Sequence, residues 1–243
     1  MLQNQKKSFA KVRSAALAFF SGAGVMALEM AGMRLLEPYL GSTIYIWGAL
    51  IAVFMGALAV GYYAGGKFAD KFPEFSKLGF IFTAAALWVL AVPYAGSFVG
   101  NLTIRLFDDP RLQACAASIV LFAIPCVLLG MVTPFLVRLS VNELSGVGGT
   151  AGTLYAVSTA GSIAGTFAVA FILPELIGTM ATIWGVGVLL AILAIICFWN
   201  KTLHNVLNMI VASGTVSAAF FFTNKAEGRL AAVTNFPRLP AGQ

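Results

Sequence analysis

Long apolar runs separated by short polar segments dominate the chain. Most of these runs reach or exceed the roughly 20 residues that an α-helix needs to cross the hydrocarbon core of a bilayer. We expect membrane spans at residues 15–36, 44–66, 78–98, 112–137, 150–173, 180–199 and 206–222. The pattern predicts an all-α fold, a polytopic transmembrane helical bundle of about seven spans.

The composition supports this class of protein. Apolar residues make up 60% and charged residues 10% of the 243 residues, and the mean hydropathy is +0.91. Soluble globular domains carry about 25% charged residues. These values exclude a soluble globule, and they predict a protein whose main partner is the lipid bilayer.

Basic residues indicate the domain organisation and the orientation. We expect a basic cytoplasmic N-terminal tail over residues 1–13, a helical membrane domain over 14–223 and a C-terminal tail over 224–243. With the N-terminus in the cytoplasm, more lysines and arginines lie inside than outside, as is typical of such proteins. The expected location is the bacterial inner membrane. Because the cations flank the spans, the net charge of +6 does not indicate nucleic-acid binding.

Metal and redox chemistry receive no support from the sequence. Cys115, Cys126 and Cys197 lie in apolar runs without paired or metal-type spacing, so we expect them to be buried small apolar side chains. The only histidine is His204, in a short connection. We expect no metal site and no cofactor.

Glu29 is the most informative residue because it lies inside the first predicted span. A charged side chain at such a position costs roughly 2.5–3.5 kcal/mol on insertion scales and is a functional-site hypothesis by default. Glu29 would serve as the counter-charge for a cationic substrate or as a proton carrier. The structural alternative is a protonated carboxyl that donates one hydrogen bond to a neighbouring helix.

Arg34 and Glu37 follow Glu29 on the same helix. Arg34 lies about 140° around the helix from Glu29, which makes the two poor partners. We assign Arg34 and Glu37 an interfacial structural role. Glu37 precedes Pro38, and the residue before a proline disfavours the helical conformation, so the first helix is predicted to end there.

Small residues recur at four-residue spacing in three spans. Such stripes allow helices to approach closely in lipid, and we interpret them as packing surfaces. They are Ala23, Ala27 and Ala31 in the first span, Ala57, Gly61 and Gly65 in the second, and Gly161 and Gly165 in the fifth. In the fourth span, Pro125 and Pro134 are expected to kink the helix.

The fifth span also carries a ladder of hydroxyl side chains. These side chains would either line a polar cavity or bond to neighbouring backbones. The ladder consists of Tyr155, Ser158, Thr159, Ser162 and Thr166. Together with Glu29, the first four form the candidate substrate-binding site.

The segment 61–71 resembles the Gly-x-x-x-Asp-Arg/Lys loop between the second and third helices of major facilitator transporters. The matching residues are Gly66, Asp70 and Lys71. In such a loop, the glycine lets the chain approach a neighbouring helix. Asp70 would cap a helix N-terminus and meet cationic side chains.

A broader resemblance rests on the segments 36–43, Trp47-Gly48, 154–166 and 171–178. Together they resemble the transmembrane part of the membrane-embedded spermidine synthase-like proteins, which are described as major facilitator/spermidine synthase fusions. The resemblance implies a fold like half of a major facilitator transporter. Longer family members continue into a soluble aminopropyltransferase-like domain, which we expect this chain to lack, so no catalytic residue is carried over.

Two functions stay open at this point. The first is transport or binding of a small organic cation such as a polyamine, in a homodimer that supplies the second half of the facilitator-like fold. The alternative is a membrane anchor or scaffold for a separate soluble aminopropyltransferase- or methyltransferase-like partner. Catalysis by this chain alone has little support, because the sequence offers no nucleophile with an adjacent base and no paired catalytic carboxylates.

Overall fold

The computed structural model describes residues 2–141 and 146–198, with side chains described from Lys11 onward. These residues belong to one compact unit, Met1–Lys201, and all their regular structure is helical. The helices are α1 (Leu2–Leu40), α2 (Ile44–Lys71), α3 (Phe75–Leu106), α4 (Pro110–Gly130), α5 (Val132–Ser140), α6 (Val147–Phe167), α7 (Leu173–Ile177) and α8 (Thr179–Phe198), with a π-helical segment at Ala168–Ile172.

Six helical stretches of the described chain are long and apolar enough to cross a membrane. Helices α4 and α5 together form one stretch, Pro110–Ser140, and α6 through α7 form another, Val147–Ile177. They confirm the first six predicted spans as apolar helices and indicate an integral membrane protein. The seventh predicted span, 206–222, and the C-terminal tail, 224–243, lie outside the described residues.

Helix α1 differs from the prediction at both ends. It begins at Leu2, so most of the expected N-terminal tail is helical. It also continues through Pro38 to Leu40, and the predicted end at Glu37 is wrong. A proline in the last turn removes only one backbone hydrogen bond, which is not enough to stop the helix there.

Gly41 ends α1 instead. It has a φ of 77°, the left-handed conformation that glycine adopts at little cost. Its N–H donates to the carbonyl of Glu37 over 2.9 Å. This is the usual geometry of a glycine that closes a helix C-terminus.

The fourth span is broken, as the prolines predicted. Helix α4 ends at Gly130 and α5 begins at Val132. Pro134 has no N–H to donate to the carbonyl of Gly130, four residues earlier, so the helical hydrogen-bond ladder is interrupted at this point. Pro125 stays inside α4.

The spans pack in a repeating pattern. The most extensive contacts pair α1 with α6, α2 with α4 and α3 with α8. Helix α4 belongs to the fourth span and α6 to the fifth. The first span therefore packs on the fifth, and the fourth span packs on the second in the same way. The contact between α3 and α4 likewise has its counterpart in the contact between α1 and α8. Among the six described spans, exchanging the first three for the second three therefore preserves these most extensive contacts, as expected for two structural repeats.

Glycines allow the closest of these approaches. A Cβ atom at Gly61 of α2 would collide with the carbonyl of Val127 on α4, and one at Gly65 would collide with the backbone of Met131. Their stripe neighbour Ala57 is also buried. The packing interpretation of this stripe is confirmed.

The same arrangement joins α6 to α1. A Cβ atom at Gly161 would collide with the carbonyl of Phe19, and one at Gly165 would collide with the carbonyl of Ala23. Backbone therefore meets backbone at both contacts, as small residues permit in membrane helices. The stripes on the first and fifth spans are packing surfaces as well.

Candidate functional site

Glu29 is buried between helices. Its exposed fraction is 7%, and Cys126 of α4 lies close enough to interact with it electrostatically. One turn further along α1, Gly32 lies against the ring of Phe122, also on α4. Glu29 therefore faces α4. In the described part of the chain, no hydrogen bond or salt bridge to the Glu29 side chain is present.

Ser158 and Ser162 lie away from Glu29. The Ser162 hydroxyl donates to the carbonyl of Gly22 on α1 over 3.2 Å and to the carbonyl of Ser158 over 3.1 Å. Gly22 precedes Glu29 by seven residues, which is about 10 Å along a helix. These two serines therefore belong to the packing contact between α1 and α6.

Tyr155 and Thr159 lie on an exposed face. The Tyr155 side chain is 44% exposed, and its ring meets that of Tyr62 on α2 edge to face, with 6.5 Å between the centroids. Thr159 donates to the carbonyl of Tyr155 over 2.9 Å. Thr159, Ser162 and Thr166 of the ladder thus bond to backbone carbonyls. The described residues do not bring the ladder together with Glu29.

The residues that resemble the facilitator loop are helical. Gly66, Asp70 and Lys71 occupy the last turns of α2, and the connection to α3 begins only at Phe72, before Pro73. The expectation of a loop is wrong, because the polar composition of this segment does not interrupt the helix. A Cβ atom at Gly66 would meet open space, so no close approach requires a glycine here.

Asp70 joins α2 to α5. Its Oδ1 lies 3.1 Å from Nε of Arg138, so the expected contact with a cation is present. Asp70 lies at the C-terminal end of its own helix and does not cap an N-terminus. The Lys71 ammonium lies 5.3 Å from the centre of the Phe72 ring.

Three further cations stack on rings near this end of the bundle. Such contacts hold long basic side chains in place over aromatic faces. They are Lys67 over Tyr63 at 4.4 Å, Lys77 over Phe72 at 5.5 Å and Arg13 over Phe75 at 3.6 Å. With Lys71, these residues form what we call the basic patch.

A cavity of about 280 Å³ opens at the C-terminal end of α1. Arg34 and Glu37 of α1, Thr43 before α2, Trp47 of α2 and Ala170 of the π-helical segment contribute to its walls. We call it the Arg34–Glu37 cavity. Neither charged residue forms a salt bridge with another described residue.

Arg34 is held by a backbone group. Its Nη2 donates to the carbonyl of Ala170 over 2.9 Å. In an α-helix that carbonyl would accept from the residue four positions later, which is Pro174 and has no N–H. The irregular segment thus presents an acceptor to Arg34.

The sequence assigned Arg34 and Glu37 to an interface but did not predict a cavity. Their three-residue spacing, which places them on one face of a helix, was an available signal. No signal in the sequence indicated that the Ala170 carbonyl would bind Arg34, because this backbone atom lies 136 positions away along the chain.

The cysteines offer no metal site in the described residues, where no cluster of three metal-ligating side chains occurs. Cys126 and Cys197 are buried, as expected, and Cys115 is exposed. The expectation for Cys115 is wrong because its apolar run forms a helix with one face outside the bundle. All three thiols are free.

No protein-family model, curated protein or solved structure matches the chain. The resemblance to the spermidine synthase-like membrane proteins stays a prediction from the motifs.

Proposed function

We propose that this integral membrane protein binds and transports a small organic cation, with Glu29 as the counter-charge. The observation that carries the proposal is the burial of Glu29, which is 7% exposed and has no cationic partner among the described residues. Ionisable side chains inside membrane bundles are expensive and mark pathways for ions, protons and substrates. A polyamine is the cation that the family resemblance suggests.

The pairing of the spans supports a transporter. Two triplets that keep their most extensive contacts when they exchange places are typical of transporter repeats, and substrate sites in such proteins lie near the middle of the membrane at a repeat interface. Glu29 lies on α1 facing α4, the first helices of the two triplets.

A homodimer completes the proposal. Facilitators have a central pathway between two halves of six spans each, and the structure describes six candidate spans. A second copy of the chain would supply the opposite half. Helix α6 is the least buried of the six spans and α2 is the next. The two helices share a face on which Tyr62 and Tyr155 expose hydroxyl-bearing rings. Lipid tails cannot hydrogen-bond to these groups, so a second copy is the better neighbour.

Uptake by proteoliposomes tests the transport proposal. We expect saturable uptake of labelled spermidine by the wild type and its loss in Glu29→Gln, which keeps the shape of the side chain and removes the charge. Glu175→Gln, a change at an exposed carboxylate on α7, is the matched control and should transport normally. Uptake by folded Glu29→Gln at the wild-type rate would contradict the proposal.

Cross-linking tests the dimer. Ile163 on α6 and Val188 on α8 are similarly exposed, at 55% and 53%. A cysteine at position 163 should cross-link between copies, and one at position 188 should not. A monomer in mild detergent and in lipid would contradict this part of the proposal.

The basic patch supports the second candidate function, a scaffold for a soluble partner. Its cations lie over aromatic rings at one end of the bundle, which suits the docking of an acidic surface. Co-purification of an aminopropyltransferase- or methyltransferase-like protein with the wild type, and its loss in a Lys67→Glu/Lys77→Glu variant, would favour this function. Absence of uptake together with such a partner would replace the transport proposal.

A further inference from the structure

The Arg34–Glu37 cavity presents a cation and an anion side by side. Residues three apart on a helix have Cβ atoms about 5–6 Å from each other, so Arg34 and Glu37 are neighbours. They form no salt bridge with each other or with another described residue. Each side chain is therefore available to a group of opposite charge, and one ligand that bears both charges would satisfy both.

Arg34 is oriented for an anion. Its bond to the Ala170 carbonyl uses Nη2 and fixes the guanidinium at the cavity wall. A guanidinium carries five N–H donors in a planar fork, and such a fork matches the oxygen atoms of a phosphate. The remaining donors can bind a phosphate without disturbing the contact to Ala170.

The position of the cavity indicates an amphiphile. It lies where α1 ends and α2 begins, with Thr43 and Trp47 in its wall. Trp47 is 43% exposed and its neighbour Tyr45 is 41% exposed. Tryptophan and tyrosine are enriched at the boundary between lipid and water. Met30 and Met33 supply apolar surface on the same wall.

We propose that the Arg34–Glu37 cavity binds the phosphoethanolamine headgroup of a phospholipid, with the phosphate on Arg34 and the ammonium on Glu37. The volume of about 280 Å³ suits a headgroup, since sites for whole drug-sized ligands begin at about 300 Å³. An anionic headgroup without an amine would leave the Glu37 carboxylate without a cationic partner and would place a second negative charge next to it. A choline headgroup has no N–H to donate to Glu37.

This site is separate from the proposed cation site. Glu29 does not contribute to the cavity and faces α4. The headgroup proposal is therefore independent of the transport proposal. The Glu29→Gln protein should bind the lipid as the wild type does.

Native mass spectrometry of the purified full chain tests the proposal. The protein is equilibrated with equal amounts of phosphatidylethanolamine, phosphatidylglycerol and phosphatidylcholine of identical acyl chains. We expect about ten-fold enrichment of phosphatidylethanolamine on the wild type, the scale of one charge-assisted hydrogen bond. Glu37→Gln should lose this preference, and Glu175→Gln should keep it. Arg34→Gln should lose retention of all three lipids.

Several results would overturn the assignment. Equal retention of the three lipids by the wild type would do so, as would an unchanged preference in Glu37→Gln. Displacement of the lipid by soluble O-phosphoethanolamine at equal concentration would overturn a lipid site and indicate a free zwitterion. Arg34→Gln removes the contact to Ala170 and for that reason could fail to fold. In that case Glu37→Gln alone tests the proposal, because the Glu37 side chain forms no hydrogen bond or salt bridge with a described residue.

Discussion

Arg138 of α5 and Asp70 of α2 form a salt bridge, with 3.1 Å between Nε and Oδ1, that ties the end of the second span to the end of the fourth. Their side chains are 48% and 75% exposed. Exposed ion pairs contribute about 0–1 kcal/mol because water and salt screen them.

We therefore expect a small coupling energy between Asp70 and Arg138. A double-mutant cycle with Asp70→Asn and Arg138→Gln, measured by unfolding in mild detergent, should give about 0.2–1 kcal/mol. The coupling should fall as salt is added. A value well above this range would mean that the pair is shielded from water in the assembled protein.

The glycines of α2 give a sharper prediction for stability. Gly61→Ala places a methyl group against the carbonyl of Val127 and should separate α2 from α4. We expect a loss of about 1–3 kcal/mol, the usual cost of overpacking. Gly56→Ala, on the same helix, meets open space and should be neutral or stabilising by up to about 1 kcal/mol through helix propensity.

The comparison extends to α6. Gly161→Ala should destabilise as Gly61→Ala does, because the added methyl group meets the carbonyl of Phe19. Gly152→Ala is the control on the same helix, with open space around the added atom. Equal melting temperatures for Gly161→Ala and Gly152→Ala would contradict the packing of α1 against α6.

Orientation is testable with thiol labelling. A cytoplasmic N-terminus places the α2–α3 connection inside and the α3–α4 connection outside. In a chain without its three native cysteines, Asp108→Cys should react with a membrane-impermeant maleimide in intact cells, and Glu74→Cys should react only after permeabilisation. Both positions are exposed. The reverse pattern would place the N-terminus outside.

Hydropathy predicted the first six spans because lipid selects for long apolar runs whatever they pack against. It did not predict where the helices end. Pro38 was expected to stop α1, but a proline in the last turn is tolerated and Gly41 closes the helix. The segment with Gly66 and Asp70 resembles a loop in sequence but forms the last turns of α2, because polar residues also occur where a helix leaves the membrane.

The candidate site was less predictable than the fold. Helical spacing placed Ser158 and Ser162 on one face, but which helix that face meets depends on packing, and they meet Gly22 rather than Glu29. Glu29 faces Cys126 of α4, and the apolar run around Cys126 gave no signal that a carboxylate would lie against it. Pro174 leaves the Ala170 carbonyl without its α-helical donor, but which side chain reaches this carbonyl depends on how α1 packs against the π-helical segment.

Glu29 provides a prediction that separates a functional carboxylate from a structural one. A buried polar group without a partner costs about 1–3 kcal/mol in proteins. Among the described residues, Glu29 has no hydrogen-bond or salt-bridge partner. Glu29→Leu should therefore raise the free energy of unfolding in detergent by about 1–3 kcal/mol. A carboxyl that donates a structural hydrogen bond predicts the opposite, a loss in Glu29→Leu and tolerance of Glu29→Gln.

Ser118 provides a reference for the effect of Glu29→Leu on stability. It is fully buried on α4, and its hydroxyl has no hydrogen-bond partner in the described part of the chain. Ser118→Ala should also stabilise, by less than Glu29→Leu, because a neutral hydroxyl is less costly to bury than a carboxylate.

Stabilisation of Glu29→Leu together with loss of spermidine uptake would show that Glu29 lowers stability in exchange for function, as is common at active sites. Destabilisation of Glu29→Leu with normal uptake would assign Glu29 to the structure of the bundle and remove it from the transport pathway.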